Sequence, residues 1–286
     1  MAARKIPTVP QRALANALER RREAAGLSRE EVGSALEWSS MKLWRIETAR
    51  VTVAAGDARE LALLYRLEDA DTQALVELAR QAKRPGWWKG MSQSLPEGFS
   101  VHLELESASR TISTYEVQFV PGLWQTEDYA RAVLGARSVN STPDQIERQV
   151  AIRMRRQQIR DRTSPPAPEI WAVLDESVIR RVVGGRDVMR GQLARLLEIS
   201  DSTTVTLQVL SFSAGAHMAA YGSFSLFDPS EPAFPVTASS DRPTGTLIED
   251  DPSVISQYTV IFDHLRATSL NPAESRSLIS EAMRLL

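Results

Sequence analysis

Through the first 84 residues, apolar positions recur every three or four residues, the spacing of short helices that each bury one face. Leu14, Ala17, Leu18, Ala24 and Ala25 make one such stripe, and "AAGLS" ends it, with Gly26 as the terminating glycine. Ser28 opens a second helix with Glu31 three residues on, a capping box whose side chains satisfy two orphan amides; this helix runs to about Leu36. Ser39 caps a third, over 39–48, inside "EWSSMKLWRIETAR" at 37–50. "AAGDARELALLYRL" and "DADTQALVELARQAK" supply two more, and "RPGWW" at 84–88 breaks the pattern.

From about residue 105 the texture changes. "ISTYEVQFV", "EIWAVLD" and "TVTLQVLSF" are rich in β-branched and aromatic residues and read as strands. Between them, "QTEDYARAVL", "PDQIERQVAIRMRRQQIRDR" and "RDVMRGQLARLLEIS" keep helical spacing. Residues 211–252 are rich in Gly, Ser, Pro and Asp, with short strands at "GSFSLFD" and "GTLIED". "SVISQYTVIFDHLRATSL" and "PAESRSLISEAMRLL" close the chain as helices. The pattern predicts an all-α head of about five helices over 1–84, a connecting segment over 85–110 and an α/β (mixed α+β) body over 111–286.

A chain of 286 residues has room for about two such domains, and 43% hydrophobic with 24% charged residues is ordinary for a globular protein. There is no cysteine, which excludes disulfides and thiolate metal sites and suits a cytoplasmic location. The start lacks the apolar run of a signal peptide, and no stretch of about 18 apolar residues is present to span a membrane. A net charge of −2 speaks against a nucleic-acid binder, but its distribution changes the picture. Residues 1–50 hold ten Lys and Arg against six Asp and Glu, a net +4, so the rest of the chain carries −6. A basic head on an acidic body is the layout of a DNA-binding domain joined to a non-binding one; chance clustering is the plainer account of the same numbers.

With Ser39 as cap, Trp38 before it and Leu43 four residues inside hold the positions of a hydrophobic staple. Leu43 and Ile46 share the face toward the preceding helices. Ser40, Met41, Lys42 and Arg45 fall on the other face, in the half that reaches base edges when such a helix lies in the major groove. Lys42 and Arg45 can donate to guanine or phosphate, Arg45 with two nitrogens at once. Arg29, at the amino end of the second helix, suits a phosphate, as does Arg50. A solvated charged face explains most such pairs. Two capped helices joined by a three-residue turn, with apolar positions at 32, 36, 43 and 46, are more specific.

"AAGLSREEVGSALEWSSMKLWRIETARV" resembles the helix-turn-helix of the Xre family in its actinobacterial form, through Gly26, Leu27, Ser28, Glu30, Glu31, Val32, Leu36, Trp38, Ser39, Lys42, Leu43, Arg45, Ile46, Glu47 and Arg50. The resemblance implies binding to double-stranded DNA. Four departures stand out. Glu37 and Ala49 occupy positions where the family favours glycine, Trp44 replaces a serine, and Arg21 replaces an apolar residue. A non-glycine residue in the left-handed region costs about 1 kcal/mol. The Trp44 ring can stack on a sugar or thymine methyl, or pack on a neighbouring helix.

Further on, "YEVQFVPGLWQTEDYARAVL", "RMRRQQI", "VLDESVIRRVVGGRDVMRGQLARLLE" and "GAHMAAYGSFSLFD" resemble the C-terminal domain of WhiJ-like actinobacterial regulators, a type found behind an Xre head. The resemblance implies a regulator whose body senses a small-molecule effector or docks a small protein partner encoded nearby. An acid–base or metal site would need Asp175, Glu176 and His217. Yet the chain has only three histidines, His102, His217 and His264, and none is read as having a ligating partner at i+3 or i+4. Gly184 and Gly185 could cradle an anion but read more simply as a turn. No enzyme, metal or cofactor is expected. Trp124, Tyr129, His217, Met218, Tyr221 and Phe224 lie near loops and are the candidates for a ligand pocket, or else belong to the core. The arginines of "RMRRQQIRDR" point to several sides of one helix and suit solvent or an acidic partner as well as DNA.

These readings predict a cytoplasmic transcription regulator, nucleoid-associated when bound to DNA. Ser40, Met41, Lys42 and Arg45 would read bases, with Arg29 and Arg50 holding phosphates, and Ser39 and Trp44 complete the DNA-binding set. A homodimer is expected, because one short reading helix rarely gives enough specificity. The alternative is an antitoxin-like interaction protein paired with a small partner, in which DNA binding serves autoregulation.

Overall fold

The computed structural model describes residues 7–83, 98–137, 141–163, 166–219, 222–229, 235–242 and 245–286, so the break expected at 84–88 lies outside the described residues. The chain divides into two compact units. Among the described residues the first holds five helices: α1 (Val9–Ala24), α2 (Arg29–Leu36), α3 (Ser40–Glu47), α4 (Ala55–Leu64) and α5 (Asp69–Gln81).

Local chemistry starts the first three. Thr8 and Gln11 form a capping box at α1. At α2, Ser28 Oγ accepts from the Glu31 amide at 3.2 Å and the Glu31 carboxylate accepts from the Ser28 amide at 2.7 Å. Those bonds hold the Glu31 carboxyl below its ordinary pKa. At α3, Ser39 Oγ accepts from the Lys42 amide at 3.1 Å. Leu14, Leu18, Val32, Leu43, Ile46 and Leu61 meet in one buried core, against which Leu36 and Trp38 pack. Ala24 and Ala25, expected on the α1 stripe, are instead exposed, because the last turn of α1 runs past that core. Gly33 lets the turn approach α2: a Cβ there would lie 2.7 Å from the Trp38 carbonyl oxygen. Glu37 (φ 55°) ends α2 and Ala49 (φ 52°) follows α3, both left-handed, so the positions that favour glycine keep its conformation without it.

Beneath α3 lies a buried ion network. The Glu47 side chain is 0% exposed. It accepts from Arg22 Nε at 2.7 Å and from Arg29 Nε at 2.6 Å. Arg29 also donates to Glu19 at 2.8 Å, and Arg22 to the Leu27 carbonyl at 2.8 Å. One carboxylate thus ties α1, the start of α2 and the end of α3 together.

The second unit contains α6 (Phe99–Ala108), β1 (Ser109–Glu116), α7 (Glu127–Arg137), α8 (Pro143–Arg156), β2 (Glu169–Asp175), α9 (Glu176–Arg180), α10 (Arg186–Ile199), β3 (Val205–Leu210), β4 (Phe224–Pro229), β5 (Thr237–Arg242), β6 (Gly245–Glu249), α11 (Pro252–Thr268) and α12 (Pro272–Arg284). The connecting segment expected over 85–110 needs correction, since it holds α6 and the start of β1. Val101, Leu103 and Leu105 are all buried at two-residue spacing, so α6 is enclosed on more than one side and shows no amphipathic stripe. Strand β5, "TASSDR", was not foreseen because it has almost no apolar residue.

The sheet runs β3-β2-β1-β4-β5-β6. β1, β2 and β3 are parallel; β4, β5 and β6 are antiparallel to their neighbours. Residues paired across strands share a face. One face carries Tyr115, Val173, Phe224, Leu226 and Ala238, packed with Phe262 and Leu265 of α11. The other is apolar on its parallel half (Ile170, Ala172, Leu174, Leu207, Val209) and mostly polar on its antiparallel half (Thr114, Glu116, Ser225, Thr237, Ser239), with Phe227 among them. His102 of α6 lies over that polar half, with Nδ1 3.0 Å from Ser239 Oγ and its ring edge-on to Phe227.

Glu47→Gln leaves two guanidinium groups without their shared charge and should destabilise the first unit by about 3 kcal/mol, whereas Ala49→Gly should stabilise it by about 0.5–1 kcal/mol. Urea melts followed by tryptophan fluorescence would read both, and equal midpoints for Glu47→Gln and wild type would refute the first. Burial pushes the Glu116 carboxyl up from 4.5 to about 7. A raised folded pKa means that the folded state keeps a proton which the unfolded state releases. Glu116 therefore costs stability as pH rises through that window, and nothing below it. Glu116→Gln should be near neutral at pH 4.5 and stabilising at pH 8 by on the order of 2 kcal/mol. Parallel denaturant melts at the two pH values would show it.

Candidate nucleic-acid interface

The reading face of α3 is what remains after its other side is buried. Leu43, Ile46 and Glu47 are enclosed, while Ser39, Ser40, Met41, Arg45 and Thr48 are exposed. Met41 is 52% exposed. Eight helical residues span about 12 Å, a length that fits a major groove.

The cations differ in how free they are. Among the described residues Arg45 has no ion-pair partner. Lys42 does: its Nζ lies 3.2 Å from the centre of the Trp38 ring and 3.8 Å from Asp57 of α4. The ring contact contributes about 0.5–1 kcal/mol and the half-exposed ion pair about 0–1 kcal/mol. One good contact to a base or phosphate outweighs both. Trp38, read as a staple residue, is therefore also the platform that holds Lys42. Asp57 was missed by sequence reasoning; its only signal was an acidic residue in the first turn of α4.

Trp44 is half-buried, and the Arg50 guanidinium sits 4.3 Å from its ring centre. The ring that replaces the family's serine thus packs against the cation expected at a phosphate. Arg29 is placed differently from its expected role. Its Nε and one terminal nitrogen are committed to Glu47 and Glu19, so it acts first as a part of the fold, and a phosphate would have to share it. Arg21 pairs with Asp71 at 2.8 Å, which is how a charged residue is accommodated at a position read as apolar.

In the second unit the residues proposed for a pocket separate. Trp124 and Tyr129 are 0% exposed and belong to the core, and Tyr221 lies outside the described residues. The Tyr129 hydroxyl accepts from the Val120 amide at 3.3 Å. Met218 is exposed and Phe224 is core. His217 Nε2 is 3.4 Å from the Tyr115 hydroxyl, and its buried Nδ1 has no partner among the described residues. Asp175 caps α9 by accepting from the Ser177 amide, and Glu176 accepts from Arg180 and the Phe212 amide. Both carboxylates are thus occupied in holding backbone. Gly184 and Gly185 form a left-handed turn against Ala132 and Val188. His102 corrects the reading of the histidines: Glu106 stands four residues on, with its carboxylate 3.4 Å from Nε2.

Among the described residues no group of three or more His, Asp or Glu is placed to hold a metal ion, and no helix is long and apolar enough to cross a membrane. A helix-turn-helix domain family matches residues 13–75. A second family, described as a domain of unknown function (DUF5753), matches residues 99–281. No curated protein and no solved structure matches the chain. A helical head matched by the helix-turn-helix family therefore precedes a mixed-sheet domain, and through that domain the chain belongs to the DUF5753 family.

Proposed function

We propose that the chain is a sequence-specific transcription regulator of the Xre type and the WhiJ-like actinobacterial kind. In this reading residues 1–84 form the DNA-binding head and 111–286 the regulatory body, acting in the cytoplasm as a homodimer. One observation carries it: α3 buries one side completely and presents Ser40, Met41, Lys42 and Arg45 in a row on the other. In a major groove the exposed Met41 side chain can be set against a thymine methyl. Among the described residues Arg45 has no ion-pair partner, and Lys42 is held ready by Trp38 and Asp57. Arg50, steadied on Trp44, suits a phosphate. Dimer formation would supply two half-sites about one DNA turn apart. The body would then sense an effector or dock a small partner protein.

The test is selection of bound fragments from genomic DNA with wild type and with Lys42→Ala/Arg45→Ala. The double variant should lose about a hundredfold or more at the selected site and little elsewhere, as two base-reading side chains would. Arg50→Ala should weaken binding to all sequences alike and lower the slope against log salt by about 1. Bound fragments without a common motif, or a selected site that the double variant holds as tightly, would sink the reading.

A further inference from the structure

Two cations lie on the open side of α3, and the fold treats them differently. Arg45 has no ion-pair partner among the described residues, whereas Lys42 is turned back along the helix onto Trp38, four residues before it. That ring is a fixed platform. The Trp38 amide donates to the Gly33 carbonyl at 2.8 Å, and the ring packs against the buried core of the first unit. Lys42 Nζ stands 3.2 Å from the ring centre. On another side it lies 3.8 Å from Oδ2 of Asp57, which reaches it from the first turn of α4. Both charged side chains stay open to solvent, 39% exposed for Lys42 and 32% for Asp57, so another acceptor can approach the same ammonium.

An ordinary role for Asp57 is to offset the dipole at the amino end of α4, a helix with no side-chain cap. That role asks for an acid in the first turn, but not for a lysine of another helix beside it. The pairing adds a bias on the acceptor that Lys42 can take. An ammonium has three N–H donors. Guanine O6 and N7 are neutral acceptors, so Lys42 can donate to either while Asp57 stays close. A phosphate brings a second negative charge to the same ammonium, and the two anions repel across it. Salt does not remove this repulsion, because charges a few ångströms apart lie well inside a screening length of about 8–10 Å.

We propose that Asp57 is a specificity-determining residue of the DNA-binding head: it makes Lys42 a poor partner for the phosphates of arbitrary DNA and leaves it able to donate to a neutral base edge. Arg45, with no such neighbour, takes either kind of acceptor. The head then carries one cation that adds affinity on any sequence and one whose contribution is kept for the right sequence. Asp57 has this role only if α3 enters the groove, so the proposal rests on that reading and deepens it.

The experiment measures binding of the full-length protein to its selected site and to a random duplex of equal length across a salt series. It compares wild type, Asp57→Asn, Asp57→Ser as a second neutral variant, Asp57→Glu, Lys42→Ala and Lys42→Ala/Asp57→Asn, each shown to fold by a cooperative melt. Asp57→Asn and Asp57→Ser should bind the random duplex about threefold to tenfold more tightly and the selected site nearly as wild type does, with the random-duplex slope against log salt steeper by about 1, as one added phosphate contact requires. Asp57→Glu returns the charge and should restore the wild-type slope. In the Lys42→Ala background, Asp57→Asn should leave the slope unchanged, because no ammonium is there to reach a phosphate. An Asp57 that served only α4 would shift the melts and not the slope. An unchanged ratio of specific to random binding in the neutral variants, or a steeper slope that persists without Lys42, would overturn the proposal and leave α3 as the reading helix. A wild type that selects no common motif would overturn that reading and the proposal with it.

Discussion

The Glu47 carboxylate is the constraint on which the first unit depends. A helix of eight residues has little stability of its own in water, so α3 holds its shape through what it is fastened to. Leu43 and Ile46 supply burial, but burial is tolerant of small rotations. The Glu47 pair with Arg22 is less so: the two groups are 2.7 Å apart and almost fully enclosed, so a rotation that parts them leaves buried charge uncompensated. Arg29 accepts the same constraint from α2. The rotation of α3 about its axis, and with it the direction of Ser40, Met41 and Arg45, is therefore set by a residue on its buried side.

That dependence explains what could be read from the sequence and what could not. Caps were legible at Ser28 and Ser39 because they are local, a side chain meeting an amide three residues away. The left-handed turns at Glu37 and Ala49 were legible from positions, even with the wrong residue type in them. The partners of Arg22, Arg29 and Lys42 were not, since Glu47, Glu19 and Asp57 lie between 10 and 25 residues away and nothing in spacing connects them. Of the head's basic residues, Arg22 and Arg29 are engaged with Glu47 and Glu19, which nothing in their spacing announces.

In the second unit the limit was of a different kind. β1, β2 and β3 announce themselves by β-branched runs because the parallel half of the sheet is covered on both faces. β5 and the flanks of β4 are written in Ser, Thr and Asp, a composition that also describes loops. Trp124 and Tyr129 drew attention as aromatics near loops, yet full burial makes them part of the core that carries the 117–126 connection.

A polar face on the antiparallel half is hard to account for by folding alone. His102, Glu106 and Arg156 could be replaced by apolar side chains of similar size at little cost to stability, since buried ion pairs seldom outperform such packing. What they do provide is a fixed arrangement of charges: Glu106 neutralises Arg156, His102 reaches Ser239, and the guanidinium of Arg156 lies against Gly122 in the connection that follows β1. The connection thereby places Gln125, and Gln125 places Arg153. Arg153, at the end of this chain of polar contacts, has no ion-pair partner among the described residues. At α3 the buried charge of Glu47 is paired twice, and Arg45 has no ion-pair partner among the described residues.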